Sequence, residues 1–173
     1  MADVAPASLL LPSVLDGLAM PLPPPRGCTH FQLRQLSRRL GQLYDAELAA
    51  VGLKTTQFSL LSSLVALGPV RPADLARAMT LEPSTLTRNL QPLLAAGWAE
   101  LGPGADGRSR TVRITPAGRA LRDQARARWH AAQQRLNATL GDQRVAALHA
   151  LIQESLRLLD GADAPAGEET PHG

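Results

Sequence analysis

Two stretches hold side chains whose types and spacing suit contact with a polyanion. In "PSTLTRNLQPLL", residues 83–94, six polar residues (Ser84, Thr85, Thr87, Arg88, Asn89 and Gln91) are interleaved with leucines. At about 100° per residue, Leu86, Leu90, Leu93 and Leu94 share one helix face. Ser84, Arg88 and Gln91 point the other way, flanked by Thr85 and Thr87. Short hydroxyls let a helix lie close to a groove floor and bond phosphates near its N-terminus. Arg88 is long enough to fork onto a guanine edge, a contact worth roughly 1–3 kcal/mol of discrimination. The plainer reading is an amphipathic helix with a wet face. In "GPGADGRSRTVRI", residues 102–114, Arg108, Arg110 and Arg113 join Asp106 around three glycines. Like charges this close add little to a surface hairpin. They suit a narrow, electronegative minor groove, with Arg108 reaching out, Asp106 holding its guanidinium, and Arg110 and Arg113 at flanking phosphates. The plainer reading here is a polar turn.

Those side chains need elements to aim them. "RPADLARAMT" has Pro72 in a first helical turn, where its missing N–H costs nothing, and a short helix to about Met79. Pro83 opens the next helix and Gly97 closes it, with "TLE" as the turn between them. Pro92 lies inside that helix, removes one hydrogen bond and should bend it. Trp98–Leu101 and Thr111–Ile114 alternate apolar with polar as paired strands do, and Gly102, Gly104 and Gly107 punctuate the turn. Helix, turn, helix and an arginine-tipped hairpin follow the winged-helix order.

Outside this block the sequence reads as helix. From Thr29, expected as an N-cap, Leu33, Leu36, Leu40, Leu43 and Leu48 recur at helical spacing up to Gly52. Thr55 is expected to cap a helix carrying Phe58, Leu61, Leu64 and Val65, which Gly68-Pro69 stops. Thr115-Pro116 caps a long helix through Leu121, Ala125, Trp129, Ala132 and Leu136, broken by Gly141. A last helix from Asp142 carries Val145, Leu148, Ile152, Leu156 and Leu159 on one stripe. The expected organisation is a flexible Pro-rich tail (1–27), a dimerisation helix (28–52), a winged helix-turn-helix domain (53–115), dimerisation helices (116–160) and a disordered acidic tail (161–173). The fold class is mainly α with a small β-hairpin wing.

Bulk properties agree with a largely helical protein. The chain has 173 residues, 45% of them apolar but only 3% aromatic, so its core is aliphatic, mostly Leu and Ala. Net charge is +3, and residues 1–159 carry 18 basic side chains against 11 acidic ones. Residues 102–128 contain seven arginines against Asp106 and Asp123, a block that suits a polyanion or, over Arg119–Arg128, a solvated helix face. Arg outnumbers Lys 17 to 1; the guanidinium fork suits phosphate and guanine, although a GC-rich genome biases codons the same way. A single cysteine, Cys28, excludes an intramolecular disulfide framework and a cysteine-rich zinc site. The N-terminus reads neither as a signal peptide nor as a membrane span, so a cytoplasmic protein without a membrane partner is expected, on the nucleoid when bound to DNA. The four histidines are scattered, and "GPGADGR" lacks the Lys-Ser/Thr end of a phosphate loop. No catalytic residue, metal site or cofactor is assigned.

"GLKTTQFSLLSSL", "LARAMTLEPSTLTRNLQPLLAAGWAEL" and "DGRSRTVRITPAGRAL" together resemble the MarR family of bacterial transcriptional regulators, across roughly Leu33–Leu159. The resemblance implies an intertwined helical homodimer with a winged helix on each lobe. Double-stranded DNA is the implied partner, with Ser84, Thr85, Thr87, Arg88 and Asn89 in the major groove and Asp106 and Arg108 as the wing pair. The long apolar stripes of the first and last two helices support self-association independently. A twofold dimer implies a pseudo-palindromic operator, and the family leans toward repression. The family also implies release by a phenolic or aromatic carboxylate effector, for which His30, Arg34, Arg38, Tyr44 and Trp98 are the pocket candidates. An alternative signal is oxidation of Cys28, near Arg26 and His30 just before the first helix. Against it, the family's sensing cysteine would align with His30, and Tyr44 is the only tyrosine. The alternative from another class is a winged helix used for protein contact.

Overall fold

The structure, a computed structural model, describes residues 24, 26–104 and 109–162. In chain order it contains α1 (Thr29–Leu48), a single 3-10 turn (Ala49–Val51), α2 (Thr55–Leu67), α3 (Pro72–Ala78), α4 (Pro83–Ala95), β1 (Ala99–Pro103), β2 (Arg110–Ile114), α5 (Pro116–Leu140) and α6 (Asp142–Ala162). Residues 27–135 form one compact unit, and the described residues from Leu136 onward belong to a second. Among the described residues no single helix is long and apolar enough to cross a membrane.

In the first unit the leucine periodicity becomes a core. Leu48, Leu53, Leu60, Leu61, Leu64, Leu75, Leu86, Leu93 and Val112 are fully buried, with Phe58, Leu90 and Ala125 beside them. Each buried leucine contributes roughly 1.5–3 kcal/mol of burial free energy, so α2, α3 and α4 hold one another and the hairpin. Three of the chain's few aromatic rings gather at α5. Trp129 lies 6.2 Å from Phe58 and 6.3 Å from Tyr44, whose hydroxyl donates to the Gln133 side chain. Burial raises the Tyr44 pKa above its ordinary value.

Two expected caps fall one residue out. Cys28, with extended backbone, is the N-cap of α1, and Thr29 is already helical. Thr55 likewise opens α2 rather than capping it. Its N–H and hydroxyl both donate to one Asp45 oxygen, at 2.7 and 2.6 Å, so a carboxylate ten residues upstream satisfies the orphan donor. Thr115 caps as expected: its hydroxyl oxygen accepts the Gly118 N–H. Gly118 is required there, because a Cβ would lie 2.0 Å from the Trp98 carbonyl oxygen where α5 crosses the hairpin. At the far end, α6 continues through Gly161 and Ala162, past the expected start of the tail.

Candidate nucleic-acid interface

The turn between α3 and α4 sets the angle of the helix pair. Thr80 adopts φ +51°, left-handed backbone that a β-branched residue rarely takes. Its N–H donates to the Arg77 carbonyl and that of Leu81 to the Ala76 carbonyl, closing α3 with the double bond of a Schellman end. Pro83 then starts α4, with its missing donor at an end where no partner is needed.

Helix α4 divides as its sequence implies. Leu86, Leu90 and Leu93 are buried and Leu94 partly so, while Ser84, Thr87, Arg88 and Gln91 are exposed and Thr85 and Asn89 half-buried. Arg88 forms no hydrogen bond or ion pair among the described residues, so its guanidinium is open to an outside acceptor. The Thr87 hydroxyl donates to the Pro83 carbonyl at 2.9 Å. Its proton is therefore committed within the helix, leaving the methyl group and the oxygen lone pairs for contact. Pro92 sits inside the helix on the exposed side, and the helix continues past it to Ala95.

The hairpin pairs Ala99 with Ile114, Glu100 with Arg113, Leu101 with Val112, Gly102 with Thr111 and Pro103 with Arg110. It carries a third, one-residue strand. Val70 and Val112 exchange both backbone hydrogen bonds, at 3.0 and 2.8 Å, tying the segment before α3 to β2. Arg110, at the open end, is exposed. Arg113 has a partner that the sequence did not show: its Nε donates to Glu100 at 2.8 Å across the strands, with both side chains about half exposed. Arg122 in α5 is similarly engaged, by Asp123 and Ser62. Asp106 and Arg108 lie outside the described residues.

The effector candidates lie on α1 and just before β1. His30, Arg34 and Arg38 stand exposed along α1, Tyr44 belongs to the Trp129 cluster, and Trp98 packs on the lobe core beside the hairpin. Cys28 is exposed. Among the described residues no group of three or more His, Cys, Asp or Glu side chains is placed to hold a metal. Sequence reading missed one charged group. Asp74, in the first turn of α3, accepts from Arg71 Nε at 2.6 Å and from Arg77 Nη1 at 3.1 Å. Its pKa is lowered, chiefly by the Arg71 hydrogen bond; desolvation opposes this, and the fields of both arginines and the Arg77 hydrogen bond add to the lowering. The i, i+3, i+6 spacing of Arg71, Asp74 and Arg77 was the available signal.

Two helices joined by a tight turn, followed by a bridged hairpin, define a winged helix-turn-helix. A family model described as MarR family matches residues 51–109. The multiple antibiotic resistance protein MarR of Salmonella typhimurium is 31% identical over 123 residues, 70% of this chain and 85% of that protein. The crystal structure of the Mycobacterium tuberculosis transcriptional regulator MosR in complex with DNA is 33% identical. It covers 77% of this chain and 98% of that one, with a TM-score of 0.65. A mutant MarR from Escherichia coli complexed with operator DNA is 24% identical over 73% of this chain and 92% of that one. Its TM-score of 0.68 bears on the fold alone. The chain belongs to the MarR family, and is a transcriptional regulator rather than an enzyme.

Proposed function

We propose that the chain is a sequence-specific double-stranded DNA-binding regulator, a repressor, acting as a homodimer on a pseudo-palindromic operator. The observation that carries this is the division of α4: its leucines are spent on the core, and Arg88 stands exposed without an internal partner between Ser84 and Gln91. In this reading Ser84, Thr85, Thr87, Arg88, Asn89 and Gln91 meet the major groove, and Arg110, with Asp106 and Arg108, serves the minor groove and its phosphates. The DNA complex of the MosR relative supports the partner class. Exposed Phe31 and Leu33 on α1, and Leu156, Leu158 and Leu159 on α6, supply apolar surface for a second copy.

The test is fluorescence anisotropy with a duplex selected from a random-sequence library, across a salt series. Wild type should bind with a steep fall of log K against log salt. Arg88→Ala should cost roughly ten- to a hundredfold in discrimination between the selected duplex and a scrambled one. A flat salt response, with Arg88→Ala indistinguishable from wild type, would favour the protein-contact reading. Release by a phenolic or aromatic carboxylate effector is the proposed signal, read as loss of anisotropy against a ligand panel. A second reading, oxidation of Cys28, draws support from its exposure at the start of α1. Peroxide would then release DNA from wild type and leave Cys28→Ser bound.

A further inference from the structure

The charged trio on α3 has no role in the contacts assigned so far. Arg71, Asp74 and Arg77 form a stripe on the outer side of the first helix of the helix-turn-helix, opposite buried Leu75 and Ala76. The side chains of Arg71 and Arg77 are 64% and 80% exposed, and that of Asp74 is 29% exposed. Arg71 and Asp74 also line a cleft of about 450 Å³ with Pro69, Pro103, Ser109 and Thr111, at the base of the wing. The stripe thus starts beside the hairpin's open end and runs along α3. In helix-turn-helix complexes the first helix crosses the phosphate backbone while the second enters the groove.

A lone carboxylate on a backbone-crossing helix would repel DNA. Here it is bridged on both sides, and the trio carries a net positive charge. An aspartate is ionised at neutral pH, and the two arginines lower the Asp74 pKa further, so its carboxylate can accept from both. Arg77 has only Nη1 on Asp74. One anchored N–H restricts a long, rotamer-rich side chain, which is otherwise 80% exposed.

We propose that Asp74 is a positioning residue: it steadies the Arg71 guanidinium at the wing base and fixes Arg77 along α3, so that the pair meets the phosphate backbone of bound duplex. The inference rests on the DNA-binding reading and deepens it. It makes a prediction whose sign opposes simple electrostatics. Removing an acid from a DNA-facing surface should tighten binding. Removing a positioning acid should loosen it.

The measurement is anisotropy of a fluorescein-labelled duplex selected from a random library, across a salt series, with the full chain. Asp74→Asn should weaken binding about two- to fivefold, the size of an exposed ion pair. Arg77→Ala should weaken it and lower the salt slope by about one. Added to an Arg71→Ala, Arg77→Ala background, Asp74→Asn should change little, because both groups it positioned are gone. Asp74→Glu should recover much of the wild-type affinity. Circular dichroism melts, together with the Asp74→Glu recovery, separate positioning from damage to α3. Asp74→Asn binding as tightly as wild type or more so, or additive single effects, would overturn the inference while leaving DNA binding intact. Failure of wild type to bind any selected duplex would overturn both.

Discussion

Helices α4 and α6 carry similar leucine stripes that differ in exposure. In α4, Leu86, Leu90 and Leu93 are 1%, 4% and 0% exposed. In α6, Val145 is buried, but Ile152, Leu156 and Leu159 are 37%, 49% and 64% exposed. A helix whose apolar face is satisfied within its own chain has only its polar face left to offer a partner. A helix whose apolar face is open has apolar surface left to offer, which the proposed homodimer would cover. Equal periodicity therefore does not mean equal function. The difference lies in whether the surrounding chain covers the stripe.

Breaking this contrast at its strongest point means removing a leucine from each side. Leu93→Ala should destabilise the lobe by about 2–5 kcal/mol, because a fully buried side chain leaves a cavity in a packed cluster. Urea unfolding followed by circular dichroism measures it. A cost near zero would mean that α4 is not held by its leucines. Leu156→Asp should have its main effect on association. Sedimentation velocity should show one subunit where wild type shows two, and the melting temperature should lose its dependence on protein concentration. An unchanged sedimentation coefficient would remove the proposed role of the α6 stripe.

The turn between α3 and α4 sharpens the comparison at the 1 kcal/mol level. Thr80 holds left-handed backbone at φ +51°. That position costs a β-branched residue roughly 1–2 kcal/mol, and glycine gives back part of the relief through its freer unfolded chain. Thr80→Gly should raise stability by about 0.5–1 kcal/mol, read as an increased urea midpoint at unchanged slope. A loss of stability would show that the threonine side chain contributes more than its backbone conformation costs.

The legible part of this molecule was whatever a local period encodes. The α4 division followed from helical spacing alone, and the arginine-rich hairpin followed from alternation and glycine placement. Contacts set by distant chain were not legible. Asp45 satisfies the start of α2 from ten residues upstream, so Thr55 became a helical residue rather than a cap. Glu100 and Arg113 face each other only in one register, and three glycines in the turn leave the register open to a sequence reading. Arg113 was read as a phosphate contact, and its cross-strand partner went unseen. The bridge from Val70 is one residue long, too short for any alternation to reveal. The effector candidates show the same dependence on distant chain. Residues that are plausible one at a time become a pocket only where tertiary packing joins them, and helical spacing on α1 says nothing of where Trp98 lies.

The smallest expected effect separates the acid on α3 from the rest of the lobe. The Asp74 carboxyl sits below its ordinary value of 3.8 because Arg71 hydrogen-bonds it and both arginines add their fields. A group whose pKa is depressed by folding stabilises the native state above the unfolded pKa. That contribution is fully present at neutral pH, begins to fade below the ordinary aspartate range, and is lost as pH falls through the lowered folded value. The melting temperature of wild type minus that of Asp74→Asn should accordingly be small and positive at pH 7, and shrink toward zero as the solution is acidified past pH 3.8. Its exposed setting keeps the difference modest and makes it fall with added salt. A difference that grew on acidification would mean that Asp74 prefers to be protonated in the fold. The two arginines would then not be holding its charge, and neither would it be aiming theirs.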